Sequence, residues 1–165
     1  MSASGLNATN QARARDRAVQ AAMLGYTHKV ALHYTQGGAR WQGIASRCNA
    51  RAGQYPRYAD CSSFVTWCIW NGLYLGFGKG DDVNGLGWRA GFTGTMLSHG
   101  HVVPHQASAL PGDAVIYGRR PNGSHTAMVV KSGGTPMVVS NGSEAGPFYL
   151  SYNYRRDILS IRRYI

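Results

Sequence analysis

The sequence predicts an α+β fold, and three observations indicate this class. The N-terminal segment ATNQARARDRAVQAAMLGY (8–26) is rich in alanine and arginine and has helical character. A second helical pattern begins at Cys61. The last third of the chain changes to short β-branched segments separated by turns, which is typical of an antiparallel sheet. Helices followed by a sheet in this order indicate one α+β domain.

A single domain is expected from the chain length of 165 residues, which suits one hydrophobic core. We divide the domain into an N-terminal helix with an irregular insertion (1–54) and a core (55–165). Gly25 is expected to stop or kink the first helix. The remaining irregular segments are predicted as turns and loops: YTQGGARWQGI (34–44), residues 45–56, and residues 76–100 with a short helix at 94–98.

The clearest helix is predicted from Cys61 to Tyr74. Asp60 precedes it in the N-cap position, where its carboxylate can accept hydrogen bonds from free backbone N–H groups. Apolar residues at helical spacing form one buried face: Cys61, Phe64, Val65, Cys68 and Ile69. Four later segments carry the strand pattern: DAVIYG (113–118), HTAMVVKS (125–132), PMVVSN (136–141) and DILSIRRYI (157–165).

The chain is strongly basic, with 17 Lys+Arg against 7 Asp+Glu. This charge would concentrate an anionic partner, such as nucleic acid or a bacterial cell wall. The arginines are scattered and lie in no nucleic-acid-binding motif, so we expect no nucleic-acid partner. The N-terminus MSASGLNATN has no signal-peptide pattern, and no apolar run approaches the ~20 residues of a membrane span. We therefore expect synthesis in a cytoplasm and no stable membrane association.

Cys61 is the candidate nucleophile, because polar residues surround it at the start of its helix. The helix dipole and the unpaired N–H groups of a first turn stabilise a thiolate and lower the pKa of the thiol. Cys68 lies on the same helix face about 10 Å further along the axis, which is too far for a disulfide. We expect Cys68 to pack in the core, and the role of Cys48 stays open.

His125 is the candidate base, because it begins a predicted strand directly after a turn and can project into a cleft at the sheet edge. An imidazole base is usually oriented by a third polar group. Asn141, at the end of the next strand, is our first choice, and Glu144 in the following turn is the alternative. The spacing of the three histidines at 99, 101 and 105 matches no zinc motif, so no metal and no cofactor is expected.

Three motifs resemble those of the NlpC/P60 and CHAP cysteine peptidases. ADCSSFV (59–65) resembles the nucleophile motif, LPGDAVIYG (110–118) the glycine-aspartate strand, and HTAMVV (125–130) the histidine strand. The resemblance implies a papain-like fold, in which the nucleophile helix packs on an antiparallel sheet. It also implies amide hydrolysis in peptidoglycan stem peptides: Cys61 attacks, His125 acts as base and then acid, and Asn141 or Glu144 holds the imidazole.

The same resemblance implies residues that support the oxyanion and the nucleophile. The backbone N–H of Cys61 would contribute to the oxyanion site, flanked by Asp60 and Ser62. Members of this family often carry a tyrosine about twelve residues before the cysteine, where this chain has Asn49. Tyr34 takes this place if residues 35–54 are an insertion, and Tyr55 and Tyr58 are the alternatives.

Longer segments, including QYPRYADCSSFVTWCIWNGL (54–73) and VVSNGSEAGP (138–147), resemble the N-terminal peptidase domains of endolysins from phages that infect actinobacteria. This resemblance implies a monomeric lysis protein that acts on the bacterial wall after release from the host cytoplasm. No separate wall-binding domain is expected within the chain, so it is either a fragment or targeted by its charge. The alternatives are an N-acetylmuramoyl-L-alanine amidase and a non-catalytic wall-binding module.

Overall fold

A six-stranded antiparallel sheet with helices on one face forms the centre of the molecule in the computed structural model, which describes residues 4–165. The helices of this range are α1 (Ala8–Thr27), α2 (Gln42–Ala45), α3 (Cys61–Phe77) and α4 (Thr93–Leu97). Its strands are β1 (His33–Tyr34), β2 (Tyr58–Ala59), β3 (His101–Val102), β4 (Ala114–Tyr117), β5 (His125–Lys131), β6 (Met137–Ser140), β7 (Phe148–Ser151) and β8 (Ile158–Arg163). The predicted α+β class is confirmed.

The sheet has the strand order β3-β8-β4-β5-β6-β7. The predicted strands β4, β5 and β6 are consecutive antiparallel neighbours, whereas the fourth predicted strand, β8, pairs with β4 and not with β6. The strand β7 was not predicted, because its sequence FYLS lies in a segment dominated by turn residues. The strands β1 and β2 form a separate two-stranded parallel pair. The two strands flank the region predicted as turn and loop (34–56), which contains α2 and two short 3₁₀ helices, Gly38–Trp41 and Ala50–Ala52.

The main hydrophobic core lies between the helices and one face of the sheet. Helices α1 and α3 supply most of it, and the sheet contributes alternate residues such as Ile116, Met128 and Val139. Side chains of the opposite parity, such as Val115 and Val129, pack in a second cluster on the other face. This alternation follows from the period of two in a β-strand, and it determines which residues can meet at the sheet edge.

Close contact between α1 and α3 depends on two glycines. A side chain at Gly72 would place its Cβ 2.4 Å from the backbone oxygen of Ala14, so only glycine allows the two helices to approach this closely. Gly25 was expected to stop or kink α1, but the helix continues to Thr27. Gly25 instead makes room for the ring of Phe64, which lies 2.5 Å from the position of a Cβ there.

Candidate active site

The site is built on the N-terminus of α3, where Cys61 is the first helical residue. Asp60 is the N-cap: its Oδ1 accepts a hydrogen bond from the backbone N–H of Ser63 at 2.8 Å, and its own N–H donates to Ser63 Oγ at 2.9 Å. The Ser62 hydroxyl donates to the same carboxylate oxygen at 3.2 Å, and Arg40 Nη1 donates to Oδ2 at 2.9 Å. Asp60 therefore fixes the turn that presents the thiol.

His125 lies next to this helix end, as the first residue of β5. The backbone N–H of Thr126, the residue that follows His125, points at the sulfur of Cys61 as a hydrogen-bond donor. The start of β5 therefore lies beside the thiol, and the His125 side chain extends on the sheet face that also carries Val129. Cys61 is 8% exposed and His125 is 6% exposed. Solvent therefore reaches both side chains only through a small opening.

The His125 ring is held by groups that the sequence did not indicate. A hydrogen bond of 2.8 Å joins His125 Nε2 and Ser140 Oγ, and a second of 2.9 Å joins Ser140 Oγ and the Tyr154 hydroxyl. The Tyr117 ring stacks on the imidazole with 5.7 Å between ring centroids. A cavity of about 250 Å³ opens beside these residues and is lined by His125, Ser140, Gly142, Ser143, Phe148, Leu150, Tyr154 and Arg155.

Asn141 does not make the predicted contact with the imidazole; among the described residues, Ser140 bonds to it instead. Val129 pairs with Val138 across β5 and β6, so His125 and Ser140 share one sheet face while Asn141 lies on the other. The Asn141 Nδ2 donates to the backbone oxygens of Ala59 and Asp60 at 3.3 and 3.4 Å. Asn141 thus ties the end of β6 to the turn before Cys61.

Glu144, the alternative third residue, also contacts a different partner. Its Oε2 accepts a hydrogen bond from the backbone N–H of Tyr34 at 2.8 Å, and its Oε1 lies 2.6 Å from His33 Nδ1. These contacts lower the pKa of the Glu144 carboxyl below its ordinary value. Glu144 therefore connects the loop after β6 to β1 and does not orient His125.

Tyr34 is brought to the nucleophile by the parallel pairing of β1 and β2. It pairs with Ala59, two residues before Cys61, although 35–54 intervene in the chain. Its hydroxyl accepts a hydrogen bond from Gln36 at 3.3 Å. The other oxyanion candidates have different neighbours: Tyr55 stacks on His28 at 4.3 Å, Tyr58 lies against His33 at 5.8 Å, and Asn49 caps the 3₁₀ helix Ala50–Ala52.

The thiol and the imidazole are both neutral in the resting protein at neutral pH. Burial, followed by the negative charge of Asp60, raises the pKa of Cys61 to about 11. Burial, followed by the positive charge of Arg155, lowers the pKa of His125 to about 4. The expectation that the helix terminus lowers the thiol pKa is therefore wrong, because desolvation outweighs the backbone N–H groups that favour the thiolate.

Alkylation of Cys61 should consequently be slow at neutral pH. In a Cys48→Ala, Cys68→Ala background, we expect iodoacetamide to modify Cys61 at least about tenfold more slowly than an unburied cysteine, because few thiols are ionised. The rate should increase with pH up to about pH 11. Mass spectrometry at a series of pH values measures this rate. A plateau reached below pH 8 would instead reveal a thiolate in the resting protein.

Acid should weaken the fold through His125. The unfolded chain binds a proton at the imidazole near pH 6.5, whereas the folded chain does so only near pH 4. Stability is therefore lost as the pH falls through this window, and we expect roughly 2–3 kcal/mol less unfolding free energy at about pH 4.5 than at pH 7. Urea denaturation of the wild type and of His125→Gln measures this. An equally steep pH dependence in the variant would contradict it.

The two other cysteines of the chain lie in the hydrophobic core. Cys68 is fully buried in the core, as expected, and Cys48 lies in the same core with its backbone oxygen accepting a hydrogen bond from Trp67 Nε1 at 3.0 Å. Within residues 4–165, no three His, Cys, Asp or Glu side chains cluster as metal ligands. None of the helices in this range has the length and hydrophobicity to cross a membrane.

Comparison with known proteins does not assign the chain to a family. No model of a known protein family matches the chain, and no curated protein matches it significantly. The interpretation of the site therefore depends on the side chains themselves.

Proposed function

We propose that the protein is a cysteine amidohydrolase that cleaves an amide bond of peptidoglycan. One observation carries this proposal: the Cys61 thiol lies at a helix N-terminus against the strand that begins with His125, and the imidazole is hydrogen-bonded into a Ser140–Tyr154 chain. A thiol at a helix N-terminus and an oriented imidazole on the adjoining strand are the two groups that nucleophilic catalysis requires. Peptidoglycan as substrate is supported by the resemblance of ADCSSFV and HTAMVV to the NlpC/P60 motifs.

The papain-like NlpC/P60 fold is part of the same proposal. A helix with the thiol at its first residue packs on an antiparallel sheet that carries the histidine, which is the arrangement that the resemblance implies. The parallel β1–β2 pair supports Tyr34 as the oxyanion tyrosine, because it places this residue beside Ala59 with residues 35–54 as an insertion.

The reaction begins from a neutral pair. The Cys61 sulfur attacks the carbonyl carbon of the substrate while its proton passes to the imidazole of His125. The resulting oxyanion is stabilised by the Cys61 backbone N–H and the Tyr34 hydroxyl. The imidazolium then donates its proton to the amide nitrogen, the C–N bond breaks, and the amine leaves. Water hydrolyses the thioester with His125 again as base, and the thiol is regenerated.

Ser140 takes the positioning role that was predicted for Asn141. If Nε2 carries the imidazole proton and donates it to Ser140, then Nδ1 has the free electron pair that receives the thiol proton. We expect Ser140→Ala to lower kcat about tenfold, because one hydrogen bond to the imidazole is lost, and to leave KM almost unchanged. Imidazole ¹⁵N chemical shifts should show a change of tautomer in this variant.

Asn141→Ala provides the comparison, since Asn141 bonds to the backbone before Cys61 and not to the imidazole. It should lower the free energy of unfolding by about 1–3 kcal/mol, because buried hydrogen bonds are lost, and leave the His125 tautomer unchanged. An altered tautomer in Asn141→Ala together with a normal one in Ser140→Ala would restore Asn141 as the orienting residue.

Mass spectrometry of fragments released from purified peptidoglycan tests the function itself. Hydrolysis of an amide bond must release a new carboxyl and a new amine at the same position. Cleavage inside the stem peptide and cleavage at the muramic acid–L-alanine amide give fragments of different mass. Walls that bind the protein and release no fragment would support the non-catalytic module instead.

A further inference from the structure

The excess positive charge of the chain is unevenly distributed in the fold. Four of the acidic side chains are paired with cations near the site or the sheet: Asp60 with Arg40, Asp113 with Arg15 and Arg163, Asp157 with Arg155, and Glu144 with His33. Asp81 instead accepts hydrogen bonds from backbone N–H groups of its own loop. Near the C-terminal end of α3, three arginines form no ion pair with a described residue.

These three arginines converge on one cavity. Arg13 and Arg17 of α1 and Arg51 line a space of about 390 Å³ together with Asp16, Gly76 and Phe77. None of the three guanidinium groups makes a hydrogen bond or an ion pair with a residue in the range 4–165. The Asp16 carboxylate, the only acid in the lining, accepts a hydrogen bond from Gln20 at 2.9 Å.

The surroundings of Arg17 favour the binding of an anion. Burial, and then the nearby charge of Arg51, lowers the pKa of the Arg17 guanidinium. The side chain lies flat against Gly76, where a Cβ would come within 3.1 Å of Arg17 Cδ. Like charges that are held together in a partly desolvated cavity are stabilised when an anion lies between them.

A second cavity is also lined by arginines. Arg47 and Arg89 line a space of about 260 Å³ whose other walls include Trp70, Tyr74 and Trp88. Arg47 and Trp88 are the two non-glycine residues of the described chain with positive φ, 54° and 75°. Such strained backbone positions are enriched at ligand sites. Arg47 and Arg51, one in each lining, are four residues apart in the chain.

We propose that the arginine surface formed by Arg13, Arg17 and Arg51, with Arg47 and Arg89 of the second cavity as a further contact, binds the phosphate or carboxylate groups of an anionic cell-wall polymer. The inference depends on the proposed function, since it assumes that the wall is the substrate. Gly76 is about 22 Å from Cys61 along α3, at 1.5 Å per residue, so a bound polymer leaves the thiol free. A surface of this kind would hold the enzyme on the wall without a separate binding domain.

A wall polymer fits these cavities better than nucleic acid. Single-stranded nucleic acid is bound by basic grooves with exposed aromatic faces on which bases stack. Trp70 and Trp88 are only 2% and 6% exposed, and the exposed ring of Tyr74 is covered by the Arg47 guanidinium, 5.7 Å from its centroid. The cavity of Arg13, Arg17 and Arg51 contains one half-buried phenylalanine, so its guanidinium groups are best suited to anionic oxygens.

Binding to sedimented walls tests the proposal in a Cys61→Ala parent, which cannot digest them. In this parent, the triple substitution Arg13→Gln, Arg17→Gln, Arg51→Gln should weaken binding at least about tenfold, since three charged contacts are lost. The control is Arg119→Gln, Arg120→Gln, Lys131→Gln, which removes the same charge from exposed positions on the sheet side and should bind like the parent. Walls extracted with hydrofluoric acid, which lack phosphodiester polymers, show whether phosphate or carboxylate is recognised.

Three results would overturn the inference. These are equal binding by the arginine triple and the parent, an equal loss in the sheet-side control, and displacement from walls by a lower concentration of duplex DNA than of released wall polymer. The last result would identify nucleic acid as the partner. Failure of the hydrolase proposal is measured separately, because it appears as the absence of fragments from walls treated with the wild type.

Discussion

Replacing Cys61 with serine should lower the rate of peptidoglycan hydrolysis by at least about 10⁴-fold. The hydroxyl is a much weaker nucleophile than the thiol at any pH where the protein is folded, and the imidazole of His125 alone cannot form the covalent intermediate. Serine is nearly isosteric with cysteine, so the fold should be unchanged. Release of new amino groups from purified walls measures the rate, and circular dichroism and thermal unfolding measure the fold.

Cys68 offers a matched control on the same helix face. It is completely buried and touches no part of the site, so Cys68→Ala should keep the catalytic rate and lower stability by about 1–2 kcal/mol through the small cavity that it leaves. Full activity of a folded Cys61→Ser protein would refute nucleophilic catalysis by this residue. Equal losses in both variants would attribute the effect to damage of α3.

The elements that could be predicted from the sequence are those whose pattern is local. Helix α3 was predicted because its apolar residues repeat with helical spacing after an N-cap aspartate, and the capping box at Asp60 and Ser63 agrees with that prediction. Strands β4, β5, β6 and β8 were predicted from short β-branched segments between turns. In contrast, β1 and β2 pair although more than twenty residues separate them in the chain. No local sequence pattern predicts such a contact.

The partner of His125 could not be predicted because it depends on strand register. A shift of one residue between β5 and β6 moves every side chain of one strand to the opposite face. The register here includes an irregularity between Val129 and Lys131, which the sequence does not reveal. Ser140 and Asn141 are adjacent in the chain, and only the register decides that Ser140 meets the imidazole.

The protonation state of the Cys61 thiol also could not be predicted from the local sequence. The first turn of a helix favours a thiolate, and this effect can be read from the position of Cys61 after Asp60. Burial of the sulfur between α3 and β5 acts in the opposite direction and depends on tertiary packing. The acid that caps the helix adds to that effect, because its negative charge lies beside the sulfur.

Asp113, in the segment LPGDAVIYG, should prove to be the most important acidic residue for stability. Its carboxylate is fully buried and accepts hydrogen bonds from Arg15 of α1 at 3.1 Å, from Arg163 of β8 at 2.7 and 2.9 Å, and from the Leu110 backbone N–H at 2.8 Å. This single group connects the first helix, the last strand and the turn before β4. The aspartate that resembles a family motif therefore has a structural role here.

Asp113→Ala is expected to lower the free energy of unfolding by about 3–5 kcal/mol, because two partly buried guanidinium groups lose their carboxylate partner and the Leu110 N–H loses its acceptor. Urea denaturation followed by circular dichroism measures the change, and Asp113→Asn, which keeps the shape, should lose a large part of the same energy. Asp157→Ala is the control, since Asp157 pairs with Arg155 in an ion pair that is largely open to solvent and should change stability far less. If both alanine variants unfolded at the same urea concentration, the buried carboxylate would not be holding α1 and β8 together. In that case, the hydrophobic contacts of α1 with α3 alone would have to account for the position of the N-terminal helix.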